Sequence, residues 1–134
     1  MAVNLKFSSG ATSSVRRPDY SSVSREFLHK LAARFSLGEI RHGRGNWKRA
    51  WAGPDGAIDI DFLRDRYNHA VEHLMMLREG TANDDHIGAV GWFLCFATEA
   101  EQVGVDWADI LMVRTPEEEA EWRDKFRLRS RRKR

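Results

Sequence analysis

His69, Glu72, His73 and Glu79 lie close together on a stretch with helical hydrophobic spacing, and Asp84, Asp85 and His86 follow after a short connection. Two helices joined by so short a link are antiparallel neighbours. The end of the first then faces the start of the second, and His73, Glu79, Asp85 and His86 can converge. Carboxylates and imidazoles gathered there suit Mg²⁺ or Mn²⁺, hard ions that favour oxygen ligands and bridge phosphates. A metal at that point would neutralise phosphate charge and activate a water. The same acids have a plainer use, because Asp84 and Asp85 are good helix N-cap and first-turn residues and His86 can extend into solvent. His69 and His73 are four apart, as in a zinc pair, yet Ala-Val-Glu between them makes no HExxH motif. His69 reads as a helix-surface residue.

A second candidate is the loop Arg41-His42-Gly43-Arg44-Gly45-Asn46-Trp47. Its glycines permit close backbone approach, its arginines can pair with phosphate, and Asn46 can read a base or orient water. It lacks the Gly-Lys-Ser/Thr of a Walker A loop and is no dinucleotide fingerprint. A solvated connection with Trp47 anchored in the core is the alternative. Cys95, between Leu94 and Phe96, reads as a small core residue.

These groups need a scaffold, and the apolar periodicity supplies one. Phe27, Leu28, Leu31, Ala32 and Phe35 predict a first helix over 24–38, capped by Ser24 and closed by Gly38. Trp47 and Trp51 predict a short helical turn over 46–51. A second helix starts at Asp59 or Asp61 and ends at Gly80, and a third runs from about Asp84 to Gln102. Ile87, Val90, Phe93, Leu94 and Ala97 form the expected buried stripe of the third helix. A short helical piece covers Trp107–Val113. Thr115-Pro116-Glu117-Glu118 then opens a last helix with a capping hydroxyl, a first-turn proline and acids on the positive end of the dipole. No long period-two run predicts a strand.

The expected architecture is all-α, a compact helical bundle built on a central antiparallel helix hairpin. An irregular N-terminal arm covers 1–23, an all-α domain of catalytic type 24–113, a C-terminal helix 114–126 and a basic tail 127–134. The chain of 134 residues is long enough for one hydrophobic core. Its net charge of +2 conceals an asymmetry, with six cations among the last eight residues. Without them 16 basic groups face 20 acidic ones, so the body is acidic. The tail can meet nucleic acid electrostatically, without sequence specificity. One cysteine rules out an intrachain disulfide framework and a Cys-rich zinc knuckle. No apolar run reaches membrane-span length, and the N-terminus is not patterned as a secretory signal. A cytoplasmic setting is expected.

Four segments in order resemble a known family: Lys6–Gly10, Phe27–Trp47, Tyr67–Gly80 and Asp84–Trp92. Together they are similar to the N-terminal domain of the phage-borne dATP/dGTP diphosphohydrolases, grouped with the all-α, MazG-like nucleotide pyrophosphohydrolases. The resemblance covers roughly residues 5–101. It implies cleavage of a purine deoxynucleoside triphosphate to monophosphate and pyrophosphate with Mg²⁺ or Mn²⁺. It also implies a dimer or tetramer, in the cytoplasm of an infected bacterial host. The family's Asn-Trp falls on Asn46-Trp47, its His-Leu on His73-Leu74, its Glu-Gly on Glu79-Gly80 and its Asp-His on Asp85-His86. Glu72 stands where the family usually has arginine, Phe93 where it often has asparagine, and His42 where a tyrosine is usual. The ExxE and ExxD pairs of MazG-like enzymes are absent in their usual form.

The expectation that follows gives the metal to Glu72, Glu79 and Asp85. His73 and His86 act catalytically, ligating or activating the attacking water. Arg41, Arg44 and Lys48 meet the triphosphate, with Asn46 beside them and Trp47 stacking on the base. The competing expectation is a non-catalytic phage protein: a nucleotide- or nucleic-acid-binding module, a virion component, or an inhibitor of a host protein.

Overall fold

The computed structural model describes residues 5, 6, 8, 12, 13, 23–51 and 58–132, without the side chains of 5, 6, 12, 13, 48, 49, 51 and 130–132. The fold is all-α. Among the described residues five α-helices follow in order: α1 (Arg25–His42), α2 (Ile60–Glu79), α3 (His86–Gln102), α4 (Trp107–Leu111) and α5 (Pro116–Arg132). A 3-10 helix, Asn46–Trp51, connects α1 towards α2. Ahead of them, two-residue strands β1 (Leu5–Lys6) and β2 (Thr12–Ser13) pair antiparallel, Leu5 with Ser13 and Lys6 with Thr12. Most of the expected arm over 1–23 lies outside the described residues.

The helix starts follow capping chemistry. Ser24 Oγ accepts from the Phe27 amide, Asp59 from Phe62, Asp85 from Gly88 and Asp106 from Ala108. At α5 the bond is reciprocal: Thr115 Oγ1 accepts from the Glu118 amide at 3.2 Å, and the Thr115 amide donates to Glu118 Oε2 at 3.0 Å. The first helix runs past Gly38, its expected end. Gly38 sits inside α1 at the modest cost of a helical glycine, and Gly43, at φ 87°, provides the stop. α5 continues to Arg132, so the helix takes in most of the residues expected to form the basic tail.

α3 is the axis of the fold, in contact with both α1 and α2. His73 of α2 meets His86, near the start of α3, and Tyr67 of α2 meets Phe93, farther along it, so α2 and α3 run antiparallel. The burial of α3 differs from the expected stripe. Phe93 is buried, but Ile87 and Leu94 are exposed, while Phe96, Ala89, Ala100, Gly88 and Gly91 are buried instead. The physical reason is that α1 and α2 cover α3 from two sides. α1 comes close because two glycines allow it: a Cβ on Gly91 would sit 2.7 Å from Phe27 Cε2, and one on Gly88 3.1 Å from the Lys30 carbonyl oxygen.

Phe96 is the hub of the core. It is fully buried, stacks on Trp92 at 5.3 Å between ring centroids, and meets Phe62 at 5.8 Å, Trp47 at 6.3 Å and Trp107 at 6.4 Å. α5 is tied to α2 and α4 by charge. Arg64 donates to the Ile110 carbonyl and, through two nitrogens, to Glu119, and Arg123 bridges Glu119 and Asp61. Asp109 accepts from Trp122 Nε1 and Arg114, whose guanidinium lies 4.1 Å from the Trp122 ring centroid. Among the described residues no helix is long and apolar enough to cross a membrane.

Candidate functional site

The end of α1, the 3-10 helix, the first half of α2 and the start of α3 enclose a cleft of about 360 Å³. Its walls follow from the periodicity of those elements. Phe35 and Leu37 come from α1, Trp47 from the 3-10 helix, Phe62 from α2, and Ala89 and Trp92 from α3. Phe35 braces both tryptophans, 6.4 Å from Trp47 and 6.1 Å from Trp92. Cations stand around this aromatic interior: Arg34 and Arg41 on α1, and Arg66 on α2, with His42 and His69 also lining it. Among the described residues Glu39 is the one acid in the lining. Gly43 and Gly45 edge the cleft with positive φ, 87° and 70°, which holds the loop close to the α1 end.

A chain of histidines runs from the cleft into the protein. His86 Nε2 lies 2.6 Å from the Thr81 carbonyl oxygen, which can only accept, so His86 carries its proton on Nε2. Its Nδ1 therefore accepts, and His73 Nδ1–H donates to it across 2.8 Å. His73 Nε2 is then a bare lone pair, 3.1 Å from His69 Nε2, which donates, and 3.5 Å from Arg34 NH2. Every bond in the series fixes the tautomer of the next ring. His73 and His86 are both buried, and burial, reinforced by the neighbouring His69 and Arg34 charges, pushes the His73 pKa below its usual value. His73 is held neutral, as its accepting Nε2 requires.

The two acids beside this chain serve other partners. Asp84 Oδ1 accepts from Arg34 at 2.8 Å, and that hydrogen bond holds its carboxyl below the usual range. Asp85 caps α3, with Oδ1 accepting from the Gly88 amide at 3.1 Å and from Lys30 Nζ at 3.3 Å. The Gly88 bond, with Lys30 behind it, lowers its pKa too.

The expected site residues fall into separate places. Arg41, Asn46 and Trp47 line the cleft together. Arg44 is exposed outside its lining, and the Lys48 side chain lies outside the described residues. His73 and His86 do meet, but with each other, and both nitrogens of each ring are engaged. Glu79 is an exposed residue of the last turn of α2, and exposed Glu72 lies 3.8 Å from His69 Nδ1. Among the described residues no group of three or more His, Cys, Asp or Glu side chains is arranged to hold a metal ion. As placed, exposed Glu72 and Glu79 are not grouped with Asp85 and the two histidines, whose ring nitrogens are all engaged.

No family model matches this chain, and neither a curated protein nor a solved structure matches it. The site is therefore read from its own chemistry. The sequence reading missed Arg34, Arg66 and His69 as cleft residues, and Phe35 and Trp92 as its walls. One signal was present. Lys30 and Arg34 are four apart and so share a helix face, and that face meets the adjacent acids Asp84 and Asp85. Only the packing of α1 on α3 makes the match visible.

Proposed function

We propose that the cleft binds a purine nucleoside triphosphate and that the protein hydrolyses it to the monophosphate and pyrophosphate. The observation that carries the binding half is an aromatic-walled cleft of about 360 Å³ lined by Arg34, Arg41, Arg66 and His69. That volume is within the range of small-ligand sites. Flat apolar walls suit a base, and guanidinium groups suit phosphate oxygens. Arg34 and Arg66 already pair with Asp84 and Asp65, whereas Arg41 has no ion-pair partner among the described residues and is the group best placed to take a phosphate. The resemblance to phage dATP/dGTP diphosphohydrolases supports the hydrolytic half, with dATP or dGTP as substrate and adjustment of the nucleotide pool in the host cytoplasm as the setting.

A second reading is favoured by a specific observation: the candidate metal ligands do not converge, and Asp85 serves as a cap. On that reading the protein is a nucleotide-binding module without turnover, and its cationic α5 end contacts nucleic acid. One experiment separates the two. Binding of the eight common ribo- and deoxynucleoside triphosphates is measured by calorimetry, and pyrophosphate release from each is followed with Mg²⁺ and then Mn²⁺. EDTA-sensitive release from dATP or dGTP establishes the enzyme. Saturable binding without release establishes the module. Absence of both, from folded protein, refutes the cleft assignment.

A further inference from the structure

His69 and His73 are one helical turn apart on α2, so their rings share a face of the helix. Their Nε2 atoms lie 3.1 Å apart, and the ring planes stand at 86° to each other. Without metal a single proton, on His69 Nε2, bridges this gap. Two nitrogens at that separation, each about 2.0–2.1 Å from one ion, subtend about 95–102° at it. That angle falls between the roughly 90° of square-planar or octahedral neighbours and the roughly 109° of a tetrahedron. The two Nε2 atoms are thus already spaced as ligands of one ion.

The outer nitrogens are provided for as well. A ligating histidine usually donates its second ring N–H to an acceptor that fixes tautomer and orientation. His73 does so already, from Nδ1–H to His86 Nδ1 at 2.8 Å, and His86 Nε2–H is anchored on the Thr81 carbonyl. His69 Nδ1 lies 3.8 Å from Glu72 Oε2. When an ion takes the place of the bridging proton, that proton moves to His69 Nδ1 and faces the carboxylate, so both imidazoles stay neutral. Burial keeps His73 unprotonated, the form a metal needs. Arg34 NH2, 3.5 Å from His73 Nε2, opposes a cation there, but Asp84 accepts from Arg34 at 2.8 Å and offsets its charge.

We infer that His69 and His73 form a two-histidine site for a cation of the Zn²⁺ class, with Glu72 and His86 holding their outer nitrogens. Imidazole ligands suit Zn²⁺, Ni²⁺ and Cu²⁺, whereas Mg²⁺ and Mn²⁺ favour oxygen. The site therefore differs in residues and in metal from the acid-held centre expected from the sequence. Among the described residues no third His, Cys, Asp or Glu joins the pair. His69 lines the cleft and its side chain is 45% exposed, so the ion enters from that side and water completes its coordination. Such an open site keeps positions for an exchangeable ligand, unlike a closed structural zinc. The inference stands whether or not the cleft takes a nucleotide.

Calorimetry of the untagged full chain with Zn²⁺ alone tests this, beside Mg²⁺ at the same concentrations. One Zn²⁺ per chain is expected, with a melting temperature that rises as Zn²⁺ increases, and no response to Mg²⁺. In His69→Gln the new amide can still donate to His73 Nε2, so the metal-free melting temperature should change little. Its affinity for Zn²⁺ should fall by at least about tenfold, and Glu72→Gln should weaken binding by about tenfold. Nitrogen NMR of the parent chain provides a readout that needs no variant. At saturating Zn²⁺ the Nε2 signals of His69 and His73 should shift to those of ligated nitrogens, and the His69 proton should appear on Nδ1. Absence of Zn²⁺ binding, a Mg²⁺ response equal to that of Zn²⁺, affinity indifferent to His69→Gln and Glu72→Gln, or unmoved His69 and His73 signals overturns the proposal.

Discussion

Replacing His86 by phenylalanine keeps a ring of similar shape and removes both of its hydrogen bonds. The Thr81 carbonyl belongs to an exposed residue and can turn to water. His73 cannot, being only 4% exposed, so its Nδ1–H is left dry and without an acceptor. A buried donor stranded in this way costs about 1–3 kcal/mol, and lost complementarity at the Thr81 end brings the expected total to about 2–3 kcal/mol. Replacing both histidines by phenylalanine removes donor and acceptor together, which is nearly neutral for a buried pair. The double variant should therefore be more stable than the two single effects added, with a coupling of about 1 kcal/mol or more. The assay is urea unfolding at pH 7.5, followed by tryptophan fluorescence. A pH series adds a second readout. The folded-state pKa of His73 is lowered from 6.5 by burial, so below that value the unfolded chain takes up a proton that the native state refuses. The stability due to His73 is full above pH 6.5 and falls as the pH drops towards the depressed value. That share of the loss should vanish in His73→Phe. Additive single effects, or a His86→Phe cost below about 0.5 kcal/mol, would refute the directed histidine chain.

Other expectations follow from the same packing. Glu119 is held at a pKa of about 2, from 4.5, chiefly by its bonds to Arg64 with Arg123 behind them. Its stabilisation is present above pH 4.5 and lost as the pH falls towards 2. Its side chain is 23% exposed, and after allowance for solvent screening Glu119→Gln should cost about 1–2 kcal/mol at pH 7, a difference that narrows as the pH falls from 4.5 towards about 2 in denaturant titrations. Gly38→Ala, inside α1 with nothing within 4 Å of the added carbon, should stabilise by about 0.5–1 kcal/mol in thermal melts. The same change at Gly91, against the Phe27 ring, should destabilise by about 1 kcal/mol. In calorimetry Arg41→Ala should weaken nucleotide binding by about 5–30-fold, whereas Arg44→Ala, outside the cleft lining, should leave it unchanged.

The local elements were legible because their signals are local. Ser24, Asp59 and the Thr115–Glu118 box each sit within three residues of the amides they satisfy, and Gly80 at φ 75° closes α2 as its position indicates. Each of these bonds spans only three residues, so the residue types disclose them. The convergence of His73 with His86 was legible for the same reason, since a short connection leaves two helices little choice of pairing.

Tertiary packing alone decided the rest. An apolar residue on a helix can face any neighbour, and which neighbour exists depends on distant segments. The α3 stripe shows this: periodicity put Ile87 and Leu94 inside, but α1 approaches over Gly88 and Gly91 and turns the buried face towards Phe96. The roles of the polar groups were settled in the same way. Asp85 could cap or ligate, and Lys30, far away in sequence, combined with the Gly88 amide to engage it at the cap. The cleft draws its walls from four elements, and Arg34, Arg66 and His69 become neighbours of Trp47 only when α1 and α2 pack around α3. The sequence determined which segments are helices and where they begin. Long-range burial determined which faces meet, because the free energy of covering an aromatic core outweighs the local preference of any single stripe.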